Sequence, residues 1–156
     1  MPIPDFVRDL RDRVGHDLLP LVGVTGVIRN PAGEILLARR TDSGEWAPPS
    51  GIVEPFEPPA RAMLHEIREE TGVTVSVDAL VALDTSDLIT YPNGDRAVYT
   101  QLIFSCTYLS GSAGVSDDEN DAIGWFAAEA LPPLSAAWRR RIDHAFTSSG
   151  RTWFGR

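Results

Sequence analysis

Two linked stretches decide how this chain reads: Gly51-Ile-Val-Glu-Pro-Phe-Glu57 and His65-Glu-Ile-Arg-Glu-Glu-Thr-Gly-Val73. The second puts Glu66, Glu69 and Glu70 within one helical turn, just ahead of a glycine stop. At i, i+3 and i+4 the three carboxylates share one helix face. Glu66 and Glu70 form a like-charge i,i+4 pair, which destabilises an isolated helix. A sequence that keeps such a pair either has stability to spare or has a cation to place there. Clustered carboxylate oxygens suit hard ions such as Mg²⁺ and Mn²⁺. Divalent ions bound by carboxylates on one side and phosphate oxygens on the other are common apparatus of phosphoryl chemistry.

Upstream, Thr41–Pro59 is punctuated by Gly44, Pro48, Pro49, Gly51, Pro55, Pro58 and Pro59. It reads as a long ordered loop, a kind of segment that often carries function. Pro58 and Pro59 suit the first turn of the following helix, which runs to about Thr71 with Gly72 at its C′ position. Leu21–Arg29 and Glu34–Arg39 read as strands joined by the turn Asn30-Pro-Ala-Gly33. Residues 5–19 carry Phe6, Leu10, Val14 and Leu18 at spacing four, an amphipathic helix frayed near Gly15. Downstream, Val73–Val81 and Leu83–Thr90 look extended. Asn93-Gly94 signals a hairpin into a return strand over Ala97–Tyr108. Gly111–Asp121 is an acidic loop and Ile123–Phe126 a short strand. Leu134–Phe146 reads as a last helix, with Leu134, Trp138, Ile142 and Phe146 at spacing four. Strands and helices mix without regular alternation. The expectation is a mixed sheet with helices packed on it, in the α/β (α+β) class.

At 156 residues one domain spanning 1–156 is expected, the helix of about 5–19 preceding its core. Hydrophobic content of 43% and charged content of 23% are ordinary for a globular chain. No apolar run reaches the roughly 20 residues of a membrane span, so no membrane partner is expected. The charged N-terminus does not read as a signal peptide. Cys106 is the single cysteine, which excludes an intramolecular disulfide and fits a cytoplasmic setting. Its apolar surroundings favour a buried structural role over a nucleophilic one. The net charge of −8 argues against stable nucleic-acid binding. A small anionic substrate remains compatible, because bound metal ions invert the local field.

The residues now in view resemble the Nudix (MutT-like) hydrolase family. The Nudix box runs Gly, five residues, Glu, seven residues, Arg-Glu, an aliphatic residue, any residue, Glu-Glu, any residue, Gly, an aliphatic residue. Gly51, Glu57, Glu66, Ile67, Glu69, Glu70, Gly72 and Val73 fall in register. Trp46-Ala-Pro-Pro-Ser-Gly51 looks like the family's approach to the box. Gly124-Trp-Phe-Ala-Ala-Glu-Ala-Leu-Pro132 looks like its strand and turn after the substrate loop. The resemblance covers roughly residues 20–145. It implies an α/β/α sandwich around a mixed sheet. It also implies a metal-dependent hydrolase, using Mg²⁺ or Mn²⁺, that cleaves the diphosphate linkage of a nucleoside diphosphate linked to another group.

By that resemblance Glu66 and Glu70 are the principal metal ligands. Glu69 is a third ligand or works through a bound water. Glu57 supports metal or water where loop meets helix, and Ser50 offers its carbonyl as a ligand. A further acidic ligand is expected from the loop before Trp125: Glu119 first, with Asp117 and Asp118 behind it. The general base is one of the glutamates; which one varies in the family. Arg40, Arg39 and Arg96 are candidate contacts to an anionic substrate. Trp46 either stacks on a base or anchors its loop, and Trp125 and Trp138 read as core. For each acidic and basic group the plainer alternative is a solvated surface.

Three positions depart from the pattern. His65 stands where the family has an arginine that holds motif glutamates. It lies four residues before Glu69 and is expected to reach that carboxylate. Its charge depends on its neighbours, as histidine's does near neutral pH. Phe56 and Ser50 replace glycines, whose usual role is a positive φ or close backbone approach. All the metal-binding carboxylates remain, so an active enzyme is the leading expectation. The alternative is a catalytically weak nucleotide-binding or regulatory module, and a His65→Arg variant separates the two. A third reading makes the N-terminal helix a docking element. The substrate is left open among nucleoside triphosphates, ADP-ribose and other nucleotide sugars, with a lean toward the triphosphates. A homodimer is open too, with Trp153-Phe154 as a candidate apolar contact.

Overall fold

The computed structural model describes residues 3–116, 118–147 and 150–155. Asp117 therefore lies outside the described residues. The chain begins with helix α1 (Asp5–Val14) and strand β1 (Leu18–Arg29), followed by β2 (Ile35–Arg40), β3 (Trp46–Ala47) and β4 (Ser50–Ile52). Helix α2 (Pro59–Thr71) leads into β5 (Thr74–Thr85), β6 (Ile89–Thr90) and β7 (Arg96–Ser110). Strand β8 (Asn120–Phe126), a 3-10 turn at Ala128–Ala130, α3 (Ala136–Thr147) and β9 (Trp153–Phe154) complete it.

The strands form one mixed sheet in the order β3-β2-β1-β7-β5-β9, with β4 on β1, β6 on β7 and β8 on β2. Its spine is the parallel pair β1–β7, in register from Leu18↔Arg96 to Arg29↔Thr107. The turn at Asn30 joins β1 to β2 because the Asn30 side-chain oxygen accepts from the N–H groups of Ala32 and Glu34, at 3.0 and 2.9 Å. Beyond that turn the two strands part. They pair only at Arg29↔Ile35, after which β4 takes the edge of β1 and β8 takes β2. This splay opens a cleft beside the start of the motif loop.

Side-chain alternation along β1 and β7 divides the core by face. Val24, Ile28, Phe104 and Cys106 pack with Ala62, Met63 and Ile67 of α2. Val27 and Ile103 pack on the other face with Ile142 of α3 and half-buried Trp153. The result is the expected helix–sheet–helix sandwich. Helix α1 covers a separate patch of that second face, where Val7 meets Leu19, Leu21, Ala97 and Tyr99.

The motif helix begins and ends as its sequence implies. Pro58 is the N-cap and Pro59 occupies the first turn; Gly72 closes it in the left-handed conformation at φ 72°. The first helix differs. It stops at Val14, because Gly15 turns the chain at φ 60° and Leu18 already belongs to β1. Its buried residue is Val7, while Leu10, Val14 and Leu18 are exposed. Of the expected stripe only Phe6 packs inward, beside Val7, since docking on Leu19 and Tyr99 decides the helix rotation. Residues 73–90 also differ: one long β5 continues to Thr85 through three register shifts instead of breaking near Ala82. Trp153 and Phe154 pair in parallel with Ala82 and Leu83, so they serve this chain's own sheet. Cys106 is buried, and burial pushes its thiol up to about 12, as a structural role requires. Among the described residues no helix is long and apolar enough to cross a membrane.

Candidate functional site

Helix α2 turns Glu66 and Glu70 inward together with Met63 and Ile67, leaving them 8% and 7% exposed, while Glu69 stays exposed. Strand β4 crosses in front of them. Gly51, paired with Val24, lies against the Glu66 carboxylate so closely that any Cβ there would collide with it. This is a glycine required by close approach, and it fixes where Glu66 can sit. Ser50 needs no such freedom. It is an ordinary strand residue opposite Thr25, so the departure from the Gly-Gly pattern is absorbed by the β ladder.

Phe56 tells the opposite story. It takes φ 67° with its ring fully exposed at 106%. A bulky residue in the left-handed region is strained. The loop has kept a glycine-type backbone without the glycine. Immediately after it, Glu57 meets the His65 imidazole at 2.9 Å between Oε1 and Nδ1. The expected contact of His65 to Glu69 is not made: Glu57 stands closer to the imidazole, and Glu69 points outward. Like the family's arginine, His65 does hold a motif glutamate.

Burial, reinforced by Glu70, Glu69 and Glu57, pushes the Glu66 carboxyl up to about 8. Glu69 and Glu70 of the helix and Glu57 of the preceding loop thus gather around the buried Glu66 carboxyl. Such a set fits a divalent cation, and its donors are all oxygen, as a hard ion prefers. Among the described residues no three His, Cys, Asp or Glu side chains already converge tightly enough to hold an ion.

A cavity of about 780 Å³ opens beside this cluster, between α1, α3 and the splayed sheet. Glu70, Ser50 and Gly51 form one part of its wall and Glu119 another. Glu119 is held there by its carbonyl, which accepts the Thr41 N–H at 2.8 Å. Asp118 uses its carbonyl in the same way, accepting the Thr41 hydroxyl at 3.1 Å, and is not part of the wall. A second depression of about 480 Å³ is lined by Glu57, His65, Glu66 and Glu69, with Phe56 at its edge. The motif glutamates therefore face two hollows, with Gly51 and Ile52 between them.

Of the four expected substrate contacts, only Arg40 lies on the cavity wall. It grips Asp42 with two bonds, Nε to Oδ1 at 3.0 Å and Nη2 to Oδ2 at 2.8 Å. Asp42 is held below the usual carboxylate range by that bond. Arg39 lies off the wall because Asp121 draws its Nε to 2.6 Å. Arg96 donates to the His16 carbonyl at 3.3 Å. Trp46 packs edge-on against Phe126 at 4.9 Å, which is the anchoring role. Trp125 packs edge-on against Tyr108, as a core residue would.

The cavity also recruits residues that the motif does not point to: Arg11, Tyr99, Gln101, Trp138 and Arg141. Trp138, expected in the core, stands on the wall. Arg141 follows it by three positions, so helical spacing was the one signal that the two share a face. Nothing in the sequence places α3 against this cavity.

A glutamate-bearing helix braced by a close-packed glycine strand, inside this sandwich, defines the pyrophosphohydrolase class. The NUDIX domain model matches residues 19–146, and the chain belongs to the Nudix family. It is 33% identical over 130 residues to a MutT-like protein of Streptomyces ambofaciens, covering 83% of this chain and 79% of that one. It is 33% identical over 105 residues to the NAD-capped RNA hydrolase NudC of Pseudomonas aeruginosa (strain LESB58), covering 66% of this chain. It spans only 35% of the length of that relative. Among solved structures a UDP-X diphosphatase superposes with a TM-score of 0.68 at 25% identity, over 97% of this chain and 74% of the other. Nudix hydrolases generally use divalent metal ions.

Proposed function

We propose that this protein hydrolyses the diphosphate linkage of a nucleoside diphosphate joined to another group, using Mg²⁺ or Mn²⁺. One observation carries the reading: the motif helix turns Glu66 and Glu70 inward, Glu66 packed against Gly51 and pushed up to about 8 by burial and by the carboxylates around it. Glu66 and Glu70 would hold the ion, with Glu69, Glu119 and the Ser50 carbonyl as further donors. Bound there, the ion would neutralise the diphosphate and acidify an attacking water.

The chain's own residues supply the rest. Glu57, oriented by His65, is placed to support the ion or the water. A glutamate not committed to metal accepts the water's proton. Arg40, on the wall near Glu70, steadies the phosphate. Two relatives support the linkage: NAD-capped RNA and a UDP-X compound each join a nucleotide to another group through a diphosphate. The substrate is small, the setting is cytoplasmic, and the chain works as one domain.

The test is phosphate and pyrophosphate release from a panel of nucleoside triphosphates and nucleoside-diphosphate sugars. It is run with Mg²⁺ or Mn²⁺, with EDTA, and with Glu70→Gln. Metal-dependent turnover lost in the variant is expected. Nucleotide binding without turnover on any substrate would replace this reading with that of a binding module.

A further inference from the structure

One charged group in the cavity wall is not balanced by any described residue. Arg141 is 8% exposed and its guanidinium lies over the Trp138 ring at 4.6 Å. Its Nε is buried with no hydrogen-bond partner among the described residues. No described carboxylate comes within ion-pair distance of it. Asp84 and Asp87 act on it only from farther away, and Asp84 sits 3.9 Å from Arg140 instead. Burial accordingly lowers the Arg141 pKa. Arginine cannot escape that cost by losing its proton under ordinary conditions, so a buried, unpaired guanidinium is costly unless a ligand completes it. The ring of Trp138 compensates one face and leaves the planar fork, which matches two-oxygen anions.

The position on the fold says which part of a substrate meets it. The motif glutamates belong to α2 on one face of the sheet, and Arg141 belongs to α3 on the other. The cavity joins them, touching Glu70 and Arg141 alike. A diphosphate held at the glutamates leaves the attached groups to reach α3.

We propose that Arg141, braced by Trp138, binds a second anionic group, a carboxylate or phosphate carried by the substrate beyond its diphosphate. This deepens the hydrolase reading and rests on it for the placing of the diphosphate. The favoured substrates are diphosphate nucleotides with an extra anion, over neutral counterparts of the same shape.

The experiment compares two matched pairs: UDP-glucose with UDP-glucuronate, and ADP-ribose with its 2′-phosphorylated form. Hydrolysis is measured with Mg²⁺, and binding is measured by calorimetry both with Mg²⁺ and in EDTA. The protein is the full chain, its Arg141→Gln form and its Arg141→Lys form, with thermal melts to establish folding. The wild type is expected to favour the anionic member of at least one pair by about tenfold. That pair identifies the anion. The ratio should fall toward one in Arg141→Gln and remain reduced in Arg141→Lys, which keeps the charge and loses the fork. Equal treatment of both pairs by the wild type, a ratio that survives Arg141→Gln, or no binding of any of the four overturns the proposal. Anion preference in binding without hydrolysis of these four supports it, and the nucleoside triphosphate panel then decides the hydrolase reading separately. Hydrolysis without preference overturns it and leaves the hydrolase reading standing.

Discussion

At the scale of single residues, the site depends on one absent side chain. Gly51 leaves the space that the Glu66 carboxylate fills, and Glu66 is in turn pressed by Glu70. A methyl group at residue 51 must displace Glu66. Misplacing a catalytic group by about an ångström can cost about 100-fold in rate. Gly51→Ala is therefore expected to lower kcat by about 100-fold while the circular dichroism spectrum stays native. Full activity in the variant would show that Glu66 does not need its present position. Phe56 and Ser50 illustrate how differently a missing glycine is tolerated. Ser50 became a strand residue at no evident cost, whereas Phe56 carries a left-handed backbone beside Glu57.

Among the elements, the C-terminal strand and the first helix take roles that their local sequences do not announce. Trp153 of β9 stacks on His144 of α3 at 4.2 Å and packs into the core beneath that helix. It thereby ties β5 to α3, the helix that carries Arg141. Trp153→Ala is expected to destabilise the fold by about 2 kcal/mol, less than a fully buried tryptophan would. Urea unfolding checks this, and an unchanged midpoint would mean that β9 contributes nothing. Helix α1 is tied down by Arg11, whose Nη2 donates to the Arg96 carbonyl at 2.7 Å and whose Nε lies 3.4 Å from Asp95. The same arginine lines the cavity, so the hairpin after β6 and the first helix form one wall.

Across the whole molecule, the acidic cluster links stability to pH and to metal. The Glu66 carboxyl rises from an ordinary 4.5 to about 8 on folding. The folded protein therefore binds more protons than the unfolded chain between those values, and stability falls as pH rises. The contribution is complete below about 4.5 and is lost as pH climbs through about 8. A divalent ion bound there, as proposed, would favour the carboxylate and oppose the trend. In EDTA the Tm should fall from about pH 6 to about pH 9, Glu66→Gln should flatten the fall, and Mg²⁺ should raise Tm most at the alkaline end. A flat EDTA profile in the wild type would contradict the buried, crowded state of Glu66.

What the sequence determined by itself was local and periodic. Pro58, Pro59 and Gly72 bound the motif helix, Asn30 and Asn93-Gly94 set the turns, and the spacing of Glu66 and Glu70 put both carboxylates on one face. Each of these follows from backbone sterics or helical pitch within a few residues. The Nudix register, which spans only the box and its flanks, was legible for the same reason. Only the tertiary structure decided the rotation of α1, the union of β5, the return of Trp153 to the sheet and the makeup of the cavity. It also put Arg40 and Arg141 on the cavity wall and left Arg39, Arg96 and Trp46 off it. Those outcomes depend on which surfaces meet across the sheet, and burial there is set by partners far away in the chain.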